Sequence, residues 1–124
     1  MPAKLIAVAA GIEAVTGLVL IVDPSLVASL LLGSNLSDLG QAVGRVAGFA
    51  LLGLGVACWP TATSAGGMSA TRGLFAYNAL AAIFFIYLGV RHEFVGPLLW
   101  PAAALHAILA ILLARILVLD SAIK

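Results

Sequence analysis

Residues 40–55 read GQAVGRVAGFALLGLG, an apolar run studded with glycine and carrying one arginine, Arg45. Extended to Trp59, the run reaches the roughly 20 residues that a helix needs to cross a bilayer. Glycine at this density lets helices approach closely. Arginine works against that reading, because a charge at mid-membrane costs about 2.5–3.5 kcal/mol on insertion scales. The stretch is a membrane helix only if its arginine finds a partner.

Composition favours the membrane. The chain has 124 residues, of which 64% are hydrophobic and 9% charged. No soluble domain of this length hides that much apolar surface, so lipid is the expected solvent and one small domain over residues 1–124 the expected organisation. A net charge of +1 gives no reason to expect nucleic acid as a partner. Cys58 is the lone cysteine, which leaves no internal disulfide and no thiolate cluster.

Outward from the opening stretch, three more segments have spanning character. The spans are placed near 4–22, 39–59, 73–90 and 97–119. The first follows Lys4 as a secretion signal would, but Glu13 interrupts it and no small-residue cleavage site precedes Asp23, so it reads as a retained span. Between the first two lies DPSLVASLLLGSNLSD, residues 23–38. Asp23 suits an N-cap, Pro24 the first helical position and Gly33 the exit. About ten residues cannot span a bilayer, so 24–33 is expected as a short interfacial or re-entrant helix. PTATSAGGMSAT, residues 60–71, reads as a polar loop, and RHEFVG, residues 91–96, as a tight turn. The predicted fold is therefore all-α, an integral membrane four-helix bundle with one short extra helix.

Four spans put both termini on one side. That side carries Lys4, Arg72, Arg115 and Lys124, whereas the other has Arg91, with Arg45 inside a span. The imbalance predicts cytoplasmic termini, in the setting of a multi-pass protein of a bacterial inner membrane. Trp59, Tyr87 and Trp100 near span ends suit an aromatic belt.

Each span also carries one strongly polar residue near its middle: Glu13, Arg45, Asn78 and His106. At about 1.5 Å of rise per residue, all four fall within a slab about 10 Å thick. Convergence is expected, with Glu13 pairing Arg45 and with Asn78 and His106 supplying further donors and acceptors. Three readings follow. The pair orients the helices; or Arg45 snorkels and leaves Glu13 protonated; or the four residues line a ligand site. Gly40, Gly44 and Gly48 form a double small-xxx-small motif, suited to packing within the bundle or between subunits. His92 beside Glu93 is expected to be solvated. No metal site or resident cofactor is expected, since phosphate-loop, nucleophile-elbow, CxxC and paired-histidine patterns are absent.

IEAVTGLVLIVDP, the LLLG that follows it, and GRVAGFALLGLGVACW together resemble the DoxX-like group of small four-helix membrane proteins, over the first half of the chain. The resemblance implies the four-helix fold and a characteristic position for Arg45. It also implies a mixed range of roles, including association with quinone-linked redox complexes and accessory functions. Glu13 further resembles the mid-helix glutamate of small multidrug transporters. Arg45 would oppose an organic cation there, the third span lacks a tryptophan, and the charge bias opposes dual insertion.

The expected function is a small membrane protein that binds a lipophilic ligand, quinone- or isoprenoid-like, at the polar cluster. It would serve as a binding or accessory subunit of a membrane complex, with lipid and possible homo-oligomers as partners. One alternative is an intramembrane isomerase or cyclase using Glu13 and His106 as acid and base. Another is a proton-coupled transporter.

Overall fold

A computed structural model of the chain describes residues 2–61 and 67–123. The middle of the expected polar loop, residues 62–66, and Lys124 of the charge count lie outside the described residues. The element order is α1 (Pro2–Val22), α2 (Pro24–Leu32), α3 (Asp38–Ala57), α4 (Met68–Arg91) and α5 (Leu99–Ile123). Among the described residues, α1, α3, α4 and α5 are each long and apolar enough to cross a membrane. The architecture is an all-helical bundle, consistent with a multi-pass membrane protein.

Helix ends follow the local chemistry. Asp23 caps α2 by accepting the Leu26 N–H at 3.1 Å, and Pro24 opens the helix without a donor to satisfy. Gly33 closes it at φ 65°, the left-handed conformation that glycine adopts without penalty. Ser37 caps α3 by accepting the Gly40 N–H at 3.1 Å. The helix α4 begins five residues before the expected span, because hydropathy marks what lipid tolerates rather than where helical hydrogen bonding starts.

The bundle is two antiparallel pairs, α1 with α3 and α4 with α5. In the first pair, backbones meet where side chains are missing. A Cβ on Gly17 would lie 2.6 Å from the Leu52 nitrogen and 2.7 Å from the Gly48 oxygen, and one on Gly55 would lie 2.6 Å from the Ala10 oxygen. In the second pair, Gly89 leaves room for the Trp100 indole. Between the pairs the backbones approach less closely, and among the described residues α3 and α5 stay farthest apart.

The helix α2 ties the pairs together at one end. Pro24 packs on Gly44 of α3, and Gly96 approaches the Leu30 carbonyl. The N–H groups of Gly96 and Leu98 donate to Leu31 and Leu30 at 2.9 and 2.8 Å, which satisfies carbonyls left over at the end of α2. At the opposite end, Ile6, Ala9, Ala10, Cys58, Leu74, Leu109 and Leu113 form a closed apolar core.

The glycine motif thus serves contacts within the chain. Gly48 meets α1 and Gly44 meets α2, whereas the atoms nearest a Cβ on Gly40 belong to Leu36 and Ser37, the residues just before it. Gly40 lies in the first turn of α3, where its N–H is capped by Ser37.

Candidate functional site

Three of the four expected polar residues converge. Glu13 and Asn78 are fully buried, and His106 is 8% exposed. Asn78 is the centre. Its Nδ2 donates to the Leu74 carbonyl at 2.9 Å and to Glu13 Oε1 at 3.2 Å. Its Oδ1 lies 2.7 Å from His106 Nδ1. The network joins α1, α4 and α5, and so stitches the two helix pairs together.

The hydrogen bonds fix their own polarity. A backbone carbonyl only accepts, so the Asn78 amide nitrogen must face Leu74. The oxygen then faces His106, and Nδ1 of the ring must carry a proton to donate to it. In the neutral ring, Nε2 is left as a bare acceptor. Glu13 Oε2 is the one enclosed side-chain polar atom without a partner among the described residues.

Arg45 does not join this group, and the expected Glu13–Arg45 pair does not form. Arg45 is exposed, and its Nε donates to the Ile21 carbonyl at 3.2 Å. Ile21 lies in the last turn of α1, where carbonyls lack helical partners and the dipole favours a cation. The reason is register. Gly17 sits between Gly48 and Leu52, which sets Arg45 level with the end of α1, eight residues or about 12 Å above Glu13. Comparing depths from the centres of apolar segments misses this interlock.

Above the triad, toward α2, lies a cavity of about 620 Å³, within the range of roughly 300–1,000 Å³ common for small-molecule sites. All five helices line it. Only Thr16, Tyr77 and His106 bring polar side chains to its wall; the others include Leu51, Phe85, Ala102 and Leu105. Tyr77 meets the His106 ring edge-on at 5.8 Å between centroids, and Phe85 tilts against it at 5.6 Å. Val15 and Leu105 also border the cavity and are 61% and 40% exposed, so it opens on the flank of the bundle. A neighbouring hollow of about 550 Å³ shares Leu20, Val27, Leu31, Ala47 and Phe85 with it.

Thr16 and Tyr77 were not among the residues expected from sequence. Tyr77 gave a usable signal, since it lies mid-span, away from the interfacial positions where tyrosine normally concentrates. Thr16, one turn beyond Glu13, gave a weaker one. At the end of α4, Arg91 donates to Glu93 in the following turn at 3.1 Å, an exposed pair of small energetic weight. His92 is exposed there, at φ 56°.

No protein-family model, curated protein or solved structure matches the chain. The functional reading therefore rests on this geometry.

Proposed function

We propose that the protein is a small membrane protein that holds one lipophilic molecule in the cavity between its helix pairs. The observation that carries this reading is an apolar cavity of about 620 Å³ that opens on the flank and has a hydrogen-bonded histidine in its wall. An apolar wall with a few placed polar groups is the usual make-up of a small-molecule site. A lateral opening suits a ligand dissolved in the bilayer.

Binding is favoured over acid–base catalysis by the position of Asn78. The amide stands between Glu13 and His106, so the two titratable groups do not touch and no proton passes directly between them. Proton-coupled transport would need Glu13 to meet the transported molecule, and Glu13 is fully buried behind the cavity wall rather than part of it. An accessory role in a larger complex, as the DoxX-like resemblance implies, fits a chain with one binding site and apolar outer faces. A partner subunit would meet those faces, since Gly44 and Gly48 are used within the chain. The basic residues Lys4, Arg72 and Arg115 support cytoplasmic termini, and a bacterial inner membrane is the proposed setting.

The test is native mass spectrometry of the protein extracted from its own membrane, beside the cavity-filling variant Ala102→Phe. The expected result is a lipophilic adduct on the parent protein that the variant lacks, with equal helicity by circular dichroism. No adduct on either, or the same adduct on both, would overturn the reading.

A further inference from the structure

The wall of the cavity is selective in a way its apolar lining does not suggest. His106 Nδ1 is committed to Asn78 as a donor, and the direction of that bond is fixed by the Leu74 carbonyl on the other side of the amide. The second ring nitrogen, Nε2, has no partner among the described residues. It is not one of the enclosed unpartnered atoms, a description that fits Glu13 Oε2 alone. Nε2 is therefore not fully enclosed, and His106 lines the cavity. No carboxylate bonds to the ring, and an apolar wall tolerates the neutral imidazole better than an unpaired cation. A neutral ring with Nδ1–H presents a pure acceptor at Nε2.

Thr16 and Tyr77 bring hydroxyls to the same wall. A hydroxyl donates or accepts by rotating its hydrogen, so these two groups do not decide what polar end a ligand must have. His106 does. A carbonyl-ended lipid, such as an oxidised quinone, offers only acceptors and leaves Nε2 buried without a partner. A hydroxyl-ended lipid donates to Nε2 while its oxygen stays available to a wall hydroxyl.

Building on the cavity reading above, we infer that the ligand is a lipid whose polar end is a hydroxyl, a prenol or a phenol, recognised by donation to His106 Nε2. Among quinone-like molecules this selects the reduced, phenolic form over the oxidised one. Asn78 acts as the positioning residue, since it fixes which ring nitrogen carries the proton.

Two measurements on the full chain in lipid nanodiscs test this. The first needs no change to the site: nitrogen-15 NMR of labelled histidine, with exposed His92 replaced by Asn so that one imidazole remains. A protonated Nδ1 and a bare Nε2 are expected, and a protonated Nε2 with a bare Nδ1 would overturn the inference. The second compares binding of farnesol with farnesyl methyl ether, which has the same chain but no hydroxyl donor. Farnesol should bind about tenfold more tightly, the worth of one buried hydrogen bond. It should also move the Nε2 resonance, and His106→Phe should erase the preference for the alcohol over the ether. Equal binding of alcohol and ether by the parent protein would overturn the donor requirement and leave the cavity reading standing. Failure of both to bind in the cavity would overturn the cavity reading, and the donor requirement with it.

Discussion

The half of the bundle near the chain termini and the half near α2 are built from the same kinds of residue, alanine, leucine, isoleucine and glycine. Their interiors differ. Near the termini, Ile6, Leu74, Leu109 and Leu113 close over Ala9 and Ala10 and leave a solid apolar core. Near α2, the same four long helices enclose a cavity. The Glu13–Asn78–His106 network lies at the junction. Leu74 and Leu109 pack on its solid side, while Thr16 and Ala102 line its hollow side. The difference teaches how a bundle this small keeps an opening. A short helix, α2, is wedged at one end, packed on α3 through Pro24 and Gly44 and bonded through Leu30 and Leu31 to the turn that leads into α5. It links the two pairs at the end where the cavity lies.

This contrast is open to direct attack. The largest effect is expected from enlarging one alanine in each half. Ala10→Phe in the solid half overpacks a fully buried site and should cost about 3 kcal/mol, near the upper end for such changes. Ala102→Phe in the hollow half has room and should stay within about 1 kcal/mol of the parent. Reversible unfolding in mixed detergent micelles measures both, and equal losses would mean that the cavity is not space available to a side chain.

The link through α2 comes next. A side chain at Gly96 would collide with the Leu30 carbonyl. Gly96→Val should therefore release α2 and lower stability by about 2 kcal/mol, a typical cost of forced backbone shifts. Hydrogen exchange at Leu98, whose N–H bonds to Leu30, should rise in parallel. Unchanged protection there would remove α2 from its role.

Asn78→Leu should cost about 1–2 kcal/mol. It strands Glu13 Oε1 and the His106 Nδ1–H, but membrane helices partly recover such losses through other partners. The smallest effect belongs to Arg45. Arg45→Met should cost about 0.5 kcal/mol, the worth of a cation at an exposed helix end. Combined with Glu13→Gln, the two losses should add to within about 0.5 kcal/mol. A larger coupling in a double-mutant cycle would restore the ion pair that the register of α1 and α3 rules out.

That register marks the boundary of what the sequence conveys. Spans and caps are legible because apolar length and residues such as Asp23, Pro24 and Gly33 act locally. The short helix expected at 24–33 is found as Pro24–Leu32, with Gly33 as its cap. Glu13, Asn78 and His106 are legible as a group because lipid leaves isolated polar side chains few places to go. Arg45 is misplaced by the same reasoning, because the Gly17–Gly48 interlock shifts α3 along α1 and no single span contains that information. The cavity is illegible for a related reason. It depends on how far apart the helix pairs stand, and Thr16 and Tyr77 gain significance only once that space exists.

The central claim, that a lipid-soluble molecule occupies the hollow half, is tested most directly by photo-crosslinking in bilayers. A farnesol analogue with a diazirine on its chain would be activated in the presence of the parent protein and of Ala102→Phe, and the labelled residues mapped by mass spectrometry. The account predicts labelling concentrated on cavity residues such as Ala50, Leu51 and Leu105, and loss of that labelling in the variant. Labelling spread evenly over outward residues such as Ile83, Ile108 and Ile111, and unchanged by the variant, would contradict it.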